Sequence, residues 1–219
     1  MKLTGYKVIT GTLKCDSGLH IGGSADQIEI GGVDLPIIKH PVTGEPFIPG
    51  SSLKGKMRSQ LEKKEGRVNE KGEPCGCGQE SCKICKVFGA HKNTRHNLGA
   101  TRILVRDASL NENTKKDYSS LLKEKGTSYI EKKTENIINR KTGTAEHPRS
   151  QERVPAGAEF DIEIVLQLYD MDGNGNDLID FVKEGLRQVQ HTYLGGFGSR
   201  GSGKVSFHNM KLDGIDFQL

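Results

Sequence analysis

Tryptophan is absent from the 219-residue chain, and aromatic residues make up only 5% of it. So few rings argue against a surface that recognises nucleic acid mainly by stacking bases on aromatic side chains. No stretch is apolar for long enough to span a bilayer, and the opening "MKLTGYKVITGTLKC" alternates like a strand, without the apolar core of a signal peptide. A cytoplasmic protein with no membrane partner is expected. Neither sign of charge is in large excess: 32 Lys+Arg against 28 Asp+Glu leave a net +4. That balance permits a polyanionic partner without requiring one. Internal repeats and low-complexity tracts are missing, and the length suits one folded body. Cysteine is scarce as well, five in all, but four fall between residues 75 and 85. In a reducing compartment such a cluster reads as metal ligands before disulfides.

What is present alternates between strand and helix signatures. Residues 5–14 read as a strand, followed by the turn "GLHIGG" and a loop "ADQIEIGGVDLP" that carries Asp26, Glu29 and Asp34. "PIIKHPVTGEPFIP" reads as a hairpin reversed at Thr43 and Gly44. "SLKGKMRSQLEKKEG" predicts a helix capped by Ser51 or Ser52, with Leu53, Met57 and Leu61 on one face. Residues 65–99 look irregular, "ATRILVRDASL" reads as a strand, and a polar linker follows it. "TSYIEKKTENIINRKTG" and "ERVPAGAEFDIEIVLQLYD" then read as two long strands joined by the basic excursion "NRKTGTAEHPRSQER", with Gly143 and Pro148 shaping its tip. "NDLIDFVKEGLRQVQHTYLG" has the spacing of an amphipathic helix, and "KVSFHNMKL" closes the chain as a strand. This order predicts an α+β fold with a ferredoxin-like sheet, the architecture that RNA-recognition motifs share.

Two glycine boxes have the spacing of a phosphate-binding loop, Gly198-x4-Gly203-Lys204 and Gly50-x4-Gly55-Lys56. Neither is a nucleotide-binding loop by its chemistry. Val205 and Met57 stand where a hydroxyl would hold magnesium, and the first box runs into a strand instead of a helix. Both still combine backbone amides with cations. Lys54 and Arg58 share a helix face beside Ser51 and Ser52, and Arg200 sits in a loop with little side-chain bulk; both arrangements suit a phosphodiester backbone.

The cysteine run "CGCGQESCKIC" places Cys75, Cys77, Cys82 and Cys85 at spacings that suit a tetrahedral structural zinc ion. His91 is an alternative ligand, and a redox role for "CKIC" or a disulfide pair is the remaining reading. The surrounding "RVNEKGEPCGCGQE" has almost nothing apolar to bury, so metal binding would supply its ordering free energy. Cys15 stands apart as a small buried side chain.

Four ordered motifs, "GLHIGG", "DLPIIKHPVTGEPFIPGSSLKGKMRSQLE", "ENIINRKTGTAEHPRSQERVPAGAEFDIEI" and "YLGGFGSRGSGKV", resemble the backbone subunits of type III-A CRISPR effectors (Csm complexes), a branch of the RAMP superfamily. The cysteine segment and the stretch from about 109 to 126 lie outside the resemblance. It implies a single RAMP domain over 1–219: a ferredoxin-like palm, a zinc-stapled insertion at about 66–99 and a β-hairpin thumb at about 127–156. It implies a subunit that stacks with further copies of itself and with other Csm subunits along a CRISPR RNA, and cuts complementary target RNA with Mg2+ or Mn2+. The guide-binding residues it implies are His20, Ser51, Ser52, Lys54 and Arg58, with Gly198, Arg200 and Gly201 of the glycine loop. Arg140, Arg149 and Arg153 would lie on the thumb. Asp34 matches the aspartate on which cleavage depends, with Asp26 and Glu29 as auxiliary candidates. The alternative is a structural RAMP subunit that binds guide RNA without cutting.

Overall fold

A computed structural model describes residues 1–23, 34–125 and 129–219, so Asp26 and Glu29 lie outside the described residues. Strand β1 (Leu3–Cys15) turns Ile9, Leu13 and Cys15 inward, as its alternation predicts. It pairs antiparallel along nearly its whole length with β7 (Glu159–Tyr169), whose Phe160, Ile162, Ile164 and Leu166 line the same core. On the other side of β1 lies β8 (Val205–Leu212), and beyond it β9 (Ile215–Asp216). The short β3 (Ile103–Val105) borders β7, giving an antiparallel sheet of order β3-β7-β1-β8-β9.

Two helices close the core. Helix α1 (Gly50–Lys64) buries Leu53, Met57 and Leu61, and α4 (Asn176–His191) buries Leu178, Phe181, Val182, Leu186 and Val189. The helices pack on each other, α1 next to β3 and α4 next to β8. Between α1 and β3 the cysteine-rich stretch forms one short helix, α2 (Lys83–Phe88), whose Ile84, Val87 and Phe88 join the main core. Fully buried Arg102 pairs with fully buried Asp172 (Nε to Oδ2, 3.0 Å) and also donates to the carbonyls of Leu98 and Ala100. This pair ties the end of the cysteine segment to the turn before α4.

Four local expectations are corrected. The polar stretch after β4 (Ala108–Ser109) is a helix, α3 (Glu112–Lys125), because Asn111 accepts the Thr114 N–H through its side chain (2.8 Å) and so starts the first turn. The basic excursion is itself a strand: β6 (Ala145–Arg153) pairs with β5 (Glu131–Ile138) in a separate two-stranded sheet, while β7 goes to the main sheet. Pro148 therefore lies within β6, next to His147 at a left-handed φ of 52°, and Gly143 alone of the two shapes the tip, at φ 75°. The proposed cap of α1 is also different. Pro49 precedes the helix without a side-chain cap, and Asp107 Oδ1 accepts the Gly50 N–H at 2.7 Å. The "PIIKHPVTGEPFIP" hairpin is narrow, with one Lys39–Pro46 bridge, and its β2 (Phe47–Ile48) pairs instead with β4.

Candidate nucleic-acid interface

The glycine loop between α4 and β8 is shaped by backbone bonds that leave no room for side chains. Leu194 N–H donates to Gly203 O (2.8 Å), Gly203 N–H to Gly18 O (2.9 Å) and Gly196 N–H to His20 O (2.8 Å). A Cβ on Gly203, whose φ is 79°, would run into the Leu194 carbonyl, and one on Gly198 into the Tyr193 ring. Gly201 follows at φ 86°. The ammonium of Lys56 lies 3.4 Å from the Tyr193 ring centroid, so a cation of α1 is joined to the loop through one aromatic ring. Burial, then repulsion from Lys63, lowers the pKa of that ammonium.

His20 is buried in the angle between this loop and the hairpin. Its Nδ1 donates to the Glu152 carbonyl (2.7 Å), and its ring tilts against Phe197 at 4.9 Å. It acts on the loop's shape from beneath. The hairpin is fastened to the same loop by one ion pair, Arg200 to Glu135 (2.8 Å), and by two hydrogen bonds, Lys133 Nζ to the Arg200 carbonyl (3.0 Å) and Arg153 to Ser202 Oγ (3.2 Å), while Arg153 also pairs across the hairpin with Glu131 (2.6 Å). Lys133, by hydrogen bond, and then Arg200 hold the Glu135 carboxyl below the usual range against a smaller opposing effect of burial. Arg140, in the hairpin turn, and Arg149 are exposed and carry no ion pair among the described residues.

Asp34 lies at the same place. Its Oδ2 accepts the Ser150 N–H (3.0 Å), and the next residue, Leu35, accepts the Glu152 N–H (2.9 Å) through its carbonyl. The exposed carboxylate is thereby docked on β6 with Oδ1 unengaged among the described residues. Leu35, Arg149, Phe197 and Arg200 border a cleft of about 440 Å3 between hairpin and glycine loop.

Helix α1 offers fewer free donors than its sequence suggests. Gly50 N–H is taken by Asp107 and Ser52 N–H by the Pro49 carbonyl (2.9 Å), which leaves Ser51 as the exposed residue of the first turn. Lys54 is half-buried, and burial, then Arg58, lowers its pKa. Arg58 itself faces the cysteine loop: Nε pairs with Glu62 Oε1 (2.8 Å) and Nη2 donates to the Cys75 carbonyl (2.7 Å). Glu62 Oε1 also accepts the Cys75 N–H (2.8 Å), so the buried Glu62 and Arg58 hold the first cysteine from α1.

The four thiols of Cys75, Cys77, Cys82 and Cys85 converge within 4.8 Å of one another. Sulfur separations of 3.7 and 3.9 Å match the about 3.8 Å expected at the edge of a tetrahedron with metal–sulfur bonds of about 2.3 Å. The cluster can hold a metal ion. His91 contributes its backbone N–H to the Cys75 carbonyl (3.2 Å) and is not part of the converging group. Cys15 lies apart, its thiol pushed up to about 12 by burial and then by Asp16, which makes it unreactive.

Several contributors escaped the sequence reading. Phe197 resembles any loop aromatic until its left-handed backbone, φ 60°, is seen beside His20 and Arg200. Glu135 and Gln151 lie in a quoted motif without standing out in it, Asp107 lies in none, and only their partners reveal them. For Lys56 and Tyr193 a weak signal existed, since Lys56 belongs to a glycine box and Tyr193 opens the motif "YLGGFGSRGSGKV".

A family model described as the RAMP superfamily matches residues 12–206. The chain is 46% identical over 216 residues (94% of this chain, 84% of the relative) to a protein of Methanothermobacter thermautotrophicus named CRISPR system Cms endoribonuclease Csm3. It is 39% identical to the protein of that name from Streptococcus thermophilus (91% of this chain, 86% of the relative). A crystal structure of a Csm3-Csm4 subcomplex of the type III-A CRISPR-Cas interference complex superposes with a TM-score of 0.61 at 31% identity, covering 97% of this chain and 80% of the other. A type III-B Cmr-beta structure bound to cognate target RNA shares the fold alone, at 15% identity and the same TM-score, over 94% of this chain and 60% of the other. By family match and by identity along nearly its whole length, the chain belongs to the RAMP superfamily, in its Csm3 family.

Proposed function

We propose that this chain is the guide-binding backbone subunit of a type III-A effector and the endoribonuclease that cuts target RNA paired to that guide. Its partners are CRISPR RNA, complementary target RNA, further copies of itself and other Csm subunits, and it works in the cytoplasm. Among the described residues, no helix is long and apolar enough to cross a membrane. The single domain of 1–219 divides into a palm, an insertion at about 66–99 and a thumb at about 127–156. The sheet order β3-β7-β1-β8, with α1 after β1 and α4 after β7, supports a ferredoxin-like palm. The free-standing β5–β6 ribbon supports a thumb. A zinc ion held by Cys75, Cys77, Cys82 and Cys85 is structural in this reading, because four protein thiolates complete its coordination.

On the guide side, Ser51 and Lys54 of α1, with Ser52 beside them, and Gly198, Arg200 and Gly201 of the glycine loop contact the backbone. Arg140 and Arg149 face it from the thumb. His20, Arg58 and Arg153 support these contacts from behind, since each is largely buried against the protein whereas Arg200 is about half exposed. The observation that carries the cutting role is the docking of Asp34 on β6 by the Ser150 N–H, which holds a lone carboxylate beside the cleft rimmed by Arg149 and Arg200. Cleavage of RNA by its own 2′-hydroxyl needs that oxygen in line with the phosphorus and a proton acceptor near it. Asp34 Oδ1 is the acceptor, and the two arginines orient the phosphate and offset its charge. A Mg2+ or Mn2+ ion binds through few carboxylates and mainly through phosphate and water; it would be held beside Asp34 mainly by those, leaving Oδ1 as the proton acceptor, and it would supply further charge neutralisation at the phosphate.

Asp34→Ala tests this in the assembled, guide-loaded complex. Target cleavage falls at least about a hundredfold while target binding stays within about twofold. Equal cutting by both proteins at the same positions makes the chain a scaffold, with the nuclease elsewhere.

A further inference from the structure

The four thiols of the metal cluster are not equivalent toward solvent. Cys75, Cys82 and Cys85 are 8%, 3% and 2% exposed, whereas Cys77 belongs to the surface. The local chain explains the difference. Cys77 stands between Gly76, where a Cβ would strike the His91 carbonyl, and Gly78, whose φ of 66° favours glycine. Neither neighbour has a side chain to cover the sulfur. On its open side Cys77 borders a cleft of about 460 Å3 that Arg67, His91 and Lys92 also line. A metal-bound thiolate that is exposed beside cations is the sulfur that an oxidant reaches first.

The spacing of the sulfurs selects a second thiol. Cys85 Sγ lies 3.7 Å from Cys77 Sγ, while Cys75 and Cys82 face each other at 3.9 Å. We propose that Cys77 is an oxidation site through which a peroxide opens the metal cluster, with Cys85 as the resolving thiol. The Cys77 thiolate attacks one oxygen of hydrogen peroxide; the S–O bond forms, the O–O bond breaks, hydroxide leaves and a sulfenic acid remains. The Cys85 thiolate then attacks that sulfur, the S–S bond forms and a second hydroxide leaves. Two thiolates have lost two electrons, and the peroxide has become two hydroxide ions. Cys75 and Cys82 are left, too few to keep a tetrahedral ion. Since Arg58 and Glu62 hold Cys75 from α1, the opening reaches the helix that carries Ser51 and Lys54. The inference rests on the zinc reading set out above and adds to it a chemical route by which the insertion is released.

The test loads the full chain with zinc, adds hydrogen peroxide in small excess and follows free zinc with a chromogenic chelator. Parallel samples contain dimedone, which traps sulfenic acids, and mass spectrometry maps both sets of products. In the unaltered protein dimedone labels Cys77 at least about tenfold faster than Cys75, Cys82 or Cys85, because a buried thiol reacts only through local opening. Without dimedone, a disulfide joins Cys77 to Cys85 and zinc is released in step with it. Cys77→Ser slows that release at least about tenfold. Should the variant fail to hold zinc, the order of labelling still decides the matter, because it leaves the protein untouched. First labelling at a buried thiol, or zinc release without a disulfide at Cys77, overturns the oxidation site while leaving the metal cluster in place. A chain that binds no zinc overturns the metal reading and the proposal with it, so the two failures are distinguishable.

Discussion

The cysteine segment and the β5–β6 hairpin both leave the main sheet, and they are held in opposite ways. The cysteine segment sends Ile84, Val87, Phe88 and three of its four thiols into the central core, with Arg58 and Glu62 gripping Cys75 from α1. The hairpin buries Gln151 alone among its strand residues and leaves Ile137 and Ile138 about half exposed. What fastens it is the partly exposed Arg200–Glu135 ion pair and the hydrogen bonds of Lys133 and Arg153 to the glycine loop, together with the strip of backbone bonds to Leu19 and Leu35. The first attachment depends on desolvated contacts around a thiol cluster that can hold a metal ion, and salt hardly touches such contacts. The second is electrostatic and screened by salt.

Metal removal should separate the two most sharply. Chelation, or Cys82→Ser, is expected to lower the Tm by about 10 °C or more, because binding free energy at such a site is folding free energy. Hydrogen exchange should show Ile84 to Phe88 losing protection while β5 and β6 change little. Equal loss in both would show that the two attachments are not independent.

A buried counterpart to the hairpin's ion pairs lies at the end of the cysteine segment, where Arg102 and Asp172 are both fully buried. Asp172→Ala should cost about 3–5 kcal/mol in denaturant unfolding, since it leaves the guanidinium buried without its counter-charge. Glu135→Gln, which releases Arg200 and Lys133 in the half-exposed network, should cost less than about 1 kcal/mol and less still in high salt. If the two costs are similar, burial is not what distinguishes the attachments.

The smallest expected effect concerns pH and lies in the body. Lys64, by a 2.6 Å hydrogen bond, holds the Glu184 carboxyl down to about 2 and ties α1 to α4. A carboxyl whose folded pKa is depressed stabilises fully above its unfolded pKa of about 4.3, and that contribution is lost as pH falls toward 2. Since Lys64 is about half exposed, the amount is below about 1 kcal/mol. Glu184→Gln should remove that part of the acid dependence in thermal melts at pH 2 to 5; an unchanged profile would dismiss the pair as a stabilising link.

Much of this was legible from the chain alone, and most of the failures share a cause. Alternation in β1 and β7, four-residue spacing in α1 and α4, the cysteine quartet and the glycine box each report a pattern within one short stretch. Apart from α3, whose start is set by the nearby Asn111 cap, the errors fell where a residue's partner is remote. Ser51 looked like a cap, but the acceptor for Gly50 is Asp107, 57 residues away. β6 looked like an excursion because its charged sequence has no buried face to set a period of two.

The sequence alone therefore determined the α+β class, the buried faces and the ligands that converge at the metal cluster, because one-sided burial and ligand spacing impose local periods. Only the tertiary structure decided that Asp34 docks on Ser150, 116 residues distant, that Arg58 turns to the cysteine loop and that Gln151 is left with an unanswered acceptor. Those outcomes depend on which polar groups are brought within hydrogen-bond reach once the core has closed, and nothing in a local period encodes that distance.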